Sequence, residues 1–229
     1  MSQIRPVATL AALALCVGLL AGCGGSTTSE VPAAPGGSPT KAATETATNP
    51  DLHVGTYKVA GKETVVVTTN KGAFTIELYK DKAPNTVSSF LELVDSKFYD
   101  GIRVHRVEAG FVMQVGDPQT KGLTAKQIVD IIGRQQTGPL ATDPQLGSGG
   151  PGWMMKAEFN DLSHDRGVVA MARSQAEDSA GSQFYVTLAP AKSLDGQYTV
   201  FGRVVKGMEV VDKLAVGDII TSAKIVTGN

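Results

Sequence analysis

Side chains able to carry out covalent chemistry are few and scattered along this sequence. Its three histidines, His53, His105 and His164, lie too far apart for a short metal-binding motif. The two cysteines, Cys16 and Cys23, rule out a disulfide framework and a thiolate zinc site. His105 beside Arg106 invites an acid–base assignment, because imidazole changes charge near neutral pH. His164, ahead of Asp165-Arg166-Gly167, reads as a turn residue. Gly147, Gly149 and Gly152 have the spacing of a dinucleotide loop, but Pro151 interrupts it and no strand–helix unit surrounds it, so nucleotide binding is rejected. The balance of 21 basic and 22 acidic side chains argues against a nucleic-acid binder.

The elements that must position any site fall into two unlike parts joined by a tether. At 229 residues, 42% hydrophobic and 19% charged, the chain has room for one large domain or two small ones and is neither wholly disordered nor a set of membrane spans. Residues 1–22 read as a secretory signal: Arg5 supplies the positive start, and Val7–Leu20 is an apolar run too short for a spanning helix. The run ends in Leu20-Ala21-Gly22-Cys23, which resembles a bacterial lipobox and implies lipidation at Cys23. Residues 24–50 hold 22 Gly, Ser, Thr, Pro or Ala among 27, too little apolar surface to offset the entropy of ordering. The stretch 23–54 is therefore expected to be a lipidated cysteine and a flexible linker, with residues 24–50 spanning roughly 26–31 Å as a coil.

Residues 55–229 make one domain of ordinary size. Glu63–Leu78 predicts a hairpin turning at Asn70-Lys71-Gly72. Pro84 opens a helix whose Val87, Phe90, Leu91 and Val94 fall on one face. Strand-like runs follow at 103–107, 111–115, 168–172, 183–188 and 199–205, and a second short helix is predicted over 207–215. Many short strands with two helices predict a mainly β fold, a closed antiparallel barrel with plugged ends.

Val104-His105-Arg106 followed by Gly110-Phe111-Val112-Met113-Gln114-Val115-Gly116-Asp117 resembles the cyclophilins, the cyclosporin-binding type of peptidyl-prolyl isomerase. The likeness continues through Ala170–Ser174, Gly181–Val186 and Leu194–Gly202, in family order, and covers about residues 63–216. It implies a closed eight-stranded antiparallel barrel capped by two helices, and a catalyst of X–Pro rotation that requires no cofactor.

Rotation about a C–N bond with partial double-bond character breaks no covalent bond, which explains the missing nucleophile and metal. The twisted amide nitrogen gains a lone pair, and a permanently charged guanidinium suits it. By resemblance that catalytic residue is Arg106, with Gln114 hydrogen-bonding the substrate backbone and helping to position it. Phe111, Val112, Tyr185 and Leu194 map to the apolar pocket for the proline ring. On periodicity alone, these four read as core. Ala172 and Arg173 map to a rail for the substrate backbone, Gln183 to a further polar contact, and Tyr198 to a position that is His in many eukaryotic members. Val112 replaces the Met of many members, Tyr185 the more familiar Phe, and Ser193 a frequent Trp. Because rotation transfers no proton, His105 is expected to be packed and hydrogen-bonded instead of catalytic.

The segment 118–149 is longer than the matching loop of compact bacterial members. Thr124–Gln127 resembles a capping box, and Ile128, Ile131 and Ile132 form an apolar face. Two readings stay open: a short helix packed on the barrel, or a lip beside the cleft that selects substrates. The resulting expectation is a monomeric, lipid-anchored isomerase on the extracytoplasmic side of a bacterial membrane, acting on proline-containing unfolded or exported polypeptides, with no metal and no nucleic-acid partner. Its rivals are a non-catalytic chaperone module holding proline segments in the same groove and, less well matched because the chain lacks two comparable lobes, a solute-capturing lipoprotein.

Overall fold

The computed structural model describes residues 52–228, and the signal segment and Cys23 lie outside them. Among the described residues are eight strands: β1 (Glu63–Thr69), β2 (Gly72–Leu78), β3 (Arg106–Glu108), β4 (Val112–Val115), β5 (Val168–Met171), β6 (Phe184–Thr187), β7 (Val200–Lys206) and β8 (Ile220–Thr227). Three α-helices accompany them: α1 (Pro84–Asp95), α2 (Ala125–Thr137) and α3 (Met208–Val211). The strands form one sheet in the order β3-β4-β6-β5-β7-β2-β1-β8, with every neighbouring pair antiparallel.

The hairpin forms where the alternation places it. Val65, Val67, Phe74 and Ile76 point inward, and Gly72 takes a φ of +126° that a side chain would resist. Pro84 suits the first turn of α1, where its missing N–H costs nothing. The next two backbone donors of that turn, Asn85 N–H and Thr86 N–H, are received by the Glu158 carboxylate at 2.9 and 2.7 Å, which also complements the positive end of the helix. Phe90 on α1 sits at the centre of the core, with its ring 5.4 Å from Tyr99, 5.6 Å from Phe184 and 5.0 Å from Phe201.

Three expectations need correction. The sheet is an open half-barrel and not a closed barrel: β3 and β8 are its edges and form no ladder with each other. At three residues β3 is too short to run along β8, and a single bridge, Arg103↔Ile219, stitches the gap just upstream of it. Second, the described residues hold three α-helices instead of two, and the one expected over 207–215 spans only Met208–Val211. Third, β8 was not among the predicted strand runs. As an edge strand it buries only Ile220 and Ala223, three apart, so it lacks the alternation that marks a half-buried strand.

The sheet is apolar on both faces between β4 and β7. Met113, Val115, Phe184, Val186, Val169 and Met171 join the main core. Their alternate neighbours Val112, Val168, Ala170, Tyr185 and Val200 form a second, smaller cluster on the opposite face.

Candidate active site

The site grows on that second face because the strand register brings its parts into one row. Arg106 on β3 is the direct cross-strand partner of Gln114 on β4, Gln114 of Tyr185 on β6, and Tyr185 of Ala170 on β5. Side chains directly opposite one another share a face, so one row carries a cation, an amide and an aromatic ring. Phe111 and Val112 enter from the start of β4, Ala172 and Arg173 from just beyond β5. Leu194 comes from a 3₁₀ turn at Lys192–Leu194 and Tyr198 from the segment leading into β7. All of these except Ala170 line one pocket of about 200 Å³.

The guanidinium of Arg106 is fixed on two sides. Its Nε donates to Glu108 Oε1 at 2.8 Å, Nη2 donates to the same oxygen, and Nη1 donates to Gln114 Oε1 at 3.1 Å. Gln114 Nε2 then donates to Gln183 Oε1 at 2.9 Å, and Gln183 Nε2 to the carbonyls of Gly147 and Gly149 at 2.9 and 2.7 Å. Gln183, which does not line this pocket, thus links the Arg106–Gln114 row to the glycine loop. That loop is held in turn by Asp117, whose carboxylate accepts the Gly147 N–H. A Cβ at Gly149 would lie 2.1 Å from Asp117 Oδ1, which gives the glycine spacing a structural reason unrelated to nucleotides.

Arg173 spends its donors on backbone. Nε reaches the Gln197 carbonyl, and Nη1 the carbonyls of Ser174 and Gln175, while the guanidinium lies 4.9 Å from the centre of the Tyr198 ring. It therefore braces the pocket rim.

Two histidines behave differently from expectation. His105 is buried, but neither ring nitrogen meets a partner at hydrogen-bond geometry, so it is packed without being hydrogen-bonded. Burial pushes its pKa below the ordinary histidine value, which keeps the ring neutral at pH 7. His164 is fully buried and far from being a mere turn residue. Its Nδ1 lies 3.0 Å from Asp195 Oδ1 and its Nε2 lies 2.9 Å from the Tyr185 hydroxyl. Hydrogen bonds from the Ser163 hydroxyl and the His164 backbone N–H hold the Asp195 carboxyl down at about 2, and an ionised carboxylate only accepts. Nδ1 therefore carries a proton and donates it to Asp195, while Nε2 pairs with the Tyr185 hydroxyl. Two walls of the pocket, Tyr185 and the turn ending in Leu194, are joined through this buried relay.

Glu108, His164 and Asp195 were not singled out from sequence as part of the site. Glu108 carried a detectable signal, since two residues along a strand from Arg106 is one step on the same face. For His164 no local pattern could have shown that its partners lie 21 and 31 residues away.

Comparison with known proteins shows the family. Residues 64–227 match the family described as cyclophilin type peptidyl-prolyl cis-trans isomerase. A Helicobacter pylori protein named peptidyl-prolyl cis-trans isomerase is 35% identical over 176 residues, 73% of this chain and 92% of its own length. Peptidyl-prolyl cis-trans isomerase B of Bacillus subtilis is 34% identical over 151 residues, 65% of this chain and 87% of its own. Among solved structures, a Cryptosporidium parvum cyclophilin type isomerase determined in the presence of the dipeptide Ala-Pro is 26% identical with a TM-score of 0.56, covering 72% of this chain and 99% of that one. By the extent of the family match and the identity to full-length relatives, this chain belongs to the cyclophilin-type peptidyl-prolyl cis–trans isomerases.

Proposed function

We propose that the domain accelerates X–Pro rotation in exported polypeptides, with Arg106 stabilising the twisted amide, and that lipid on Cys23 holds it at the outer side of a bacterial membrane. The observation that carries the catalytic part is the guanidinium fixed by Gln114 and Glu108 at the edge of a small pocket walled in part by Phe111, Val112, Tyr185 and Leu194. A proline ring fills the pocket against Phe111, Val112, Tyr185 and Leu194. Gln114 and the Ala172–Arg173 rail take the neighbouring backbone. Of the five N–H groups of a guanidinium, Arg106 uses three on Glu108 and Gln114, and the other two are available to the nitrogen as it pyramidalises. Because the donor is already oriented, no reorganisation is required as the charge develops.

A protease-coupled assay on an Ala-Pro tetrapeptide with the chain from residue 51 onward tests this reading. Unaided rotation takes tens to hundreds of seconds. Binding of the peptide without acceleration would replace the enzyme with the chaperone module.

For the anchor, support comes from Leu20-Ala21-Gly22-Cys23 after the apolar run, followed by a linker rich in small residues. Cys23→Ser is expected to abolish diacylglyceryl labelling and membrane retention while leaving turnover intact. A Cys23→Ser protein that still takes up labelled lipid would overturn the assignment.

Ser193 sits exposed on the turn beside Leu194, its carbonyl accepting from Gln197 Nε2 at 2.7 Å. It stands where cyclosporin-binding members often carry Trp, whose indole N–H and large surface it cannot replace. Loss of such an anchor costs at least about 2 kcal/mol, roughly 30-fold in affinity. Weak inhibition by cyclosporin is therefore expected, and Ser193→Trp should tighten it in an inhibition titration with little change in turnover. Tight inhibition of the unaltered protein would show that another residue makes the contact.

A further inference from the structure

Across Arg106 from the proline pocket lies a second cavity of about 430 Å³, between β3 and α2. Arg106 and Gln114 line both, so the two spaces adjoin at one side-chain pair. The far wall of this cavity is helix α2, contributed by the long segment 118–149. Ile132, Gln135 and Gln136 come from its inward side, and Leu146 and Gly147 from the loop that follows.

That wall is preformed. The capping box between Thr124 and Gln127 closes the start of α2, and Ile128 and Ile131 are buried beneath it. Arg134 grips Asp143 through two parallel hydrogen bonds of 2.8 and 2.7 Å, which ties the end of the helix to its return loop. Asp117 holds the loop where it rejoins the catalytic row at Gly147. The helix thus borders the cleft with Ile128 and Ile131 buried beneath it.

The chemistry of the lining is that of a peptide-binding groove. An extended polypeptide offers one N–H and one C=O per residue, and a glutamine amide can meet either. Gln135 and Gln136 stand on the α2 side, the Glu108 carboxylate on the β3 side, and Ile132 and Leu146 give apolar surface for a side chain between them. His105 lies at the base with both ring nitrogens unpartnered. The lining thus sets two apolar side chains among several placed polar groups.

We infer that α2 builds a second substrate subsite, which takes the extended backbone of the unfolded chain flanking the X–Pro bond and seats one uncharged side chain against Ile132 and Leu146. The inference rests on the isomerase reading and extends it from the single dipeptide unit to the length of chain that is recognised. Occupation of the subsite holds a long client on both sides of Arg106, so clients with several ordered contacts gain over short peptides.

The test compares kcat/KM on the Ala-Pro tetrapeptide with kcat/KM on a twelve-residue unstructured peptide centred on the same Ala-Pro pair, using the full-length protein. The unaltered protein should favour the long peptide. In a Gln135→Ala/Gln136→Ala double variant, and separately in Ile132→Glu, the long-to-short ratio should fall about tenfold, the order of one or two lost side-chain interactions. The fall should appear mainly in KM. Val129→Gln, on the exposed side of the same helix, should leave the ratio unchanged, and thermal unfolding of each variant reports whether the helix remains packed. A ratio unchanged in both inward-facing variants, or lowered equally by Val129→Gln, overturns the subsite. Absence of turnover on the tetrapeptide by the unaltered protein would instead sink the isomerase reading itself.

Discussion

Arg106→Ala is expected to lower kcat/KM in the protease-coupled assay by about 10²–10³, the usual loss on removing one preorganised donor. The melting temperature should barely move. Arg106 and Glu108 are about half exposed, with side-chain accessibilities of 45% and 50%, and exposed ion pairs contribute little to stability. Arg106→Lys should recover only a small part of the activity. An ammonium keeps the charge but cannot hold Glu108 and Gln114 in one plane while presenting further N–H groups. Near-normal turnover in Arg106→Ala would remove the guanidinium from the mechanism.

The largest stability effect is expected at Phe90. Its ring is 1% exposed and touches Tyr99, Phe184 and Phe201, so it joins α1 to two strands and to the segment before β3. Truncation to Ala removes the transfer energy of the ring and leaves a cavity that three other rings cannot easily fill, together about 3–5 kcal/mol. For a domain of this size that corresponds to a fall of roughly 6–20 °C in Tm by calorimetry or circular dichroism. A shift under a few degrees would mean that the core collapses around the gap.

What could be read from residues alone follows the range of the interactions involved. The β1–β2 hairpin and α1 are determined by periodicity and turn chemistry within about a dozen residues, and both stand where the pattern places them. The neighbourhood of Arg106 and Gln114 is also local, since a tight connection between β3 and β4 sets them opposite one another. Their association with Tyr185, Leu194 and Tyr198 became legible only through family resemblance. Apolar residues on the outer face of a sheet look the same whether they are core or pocket. Closure of the sheet depends on whether two edges from opposite ends of the domain meet in register, and no local pattern carries that information. Strand β8 was hidden for a related reason, because an edge strand need not alternate. The partners of His164 were hidden because a buried imidazole is satisfied by groups delivered from two other segments, Asp195 and Tyr185.

Asp195, His164 and Tyr185 form a single unit of change. Replacing the Tyr185 hydroxyl with hydrogen leaves the Nε2 of a fully buried imidazole without a hydrogen-bond partner, and replacing His164 leaves a buried hydroxyl and a carboxylate without their shared partner. No member can be exchanged singly without leaving a buried group unsatisfied, whereas an apolar pair at 164 and 185 would be self-consistent. The three positions are therefore epistatic. A lineage passing between the tyrosine and phenylalanine forms of this pocket must cross a less stable intermediate or change two positions in near succession, and mutational effects measured at one of them will not transfer to a background that differs at another.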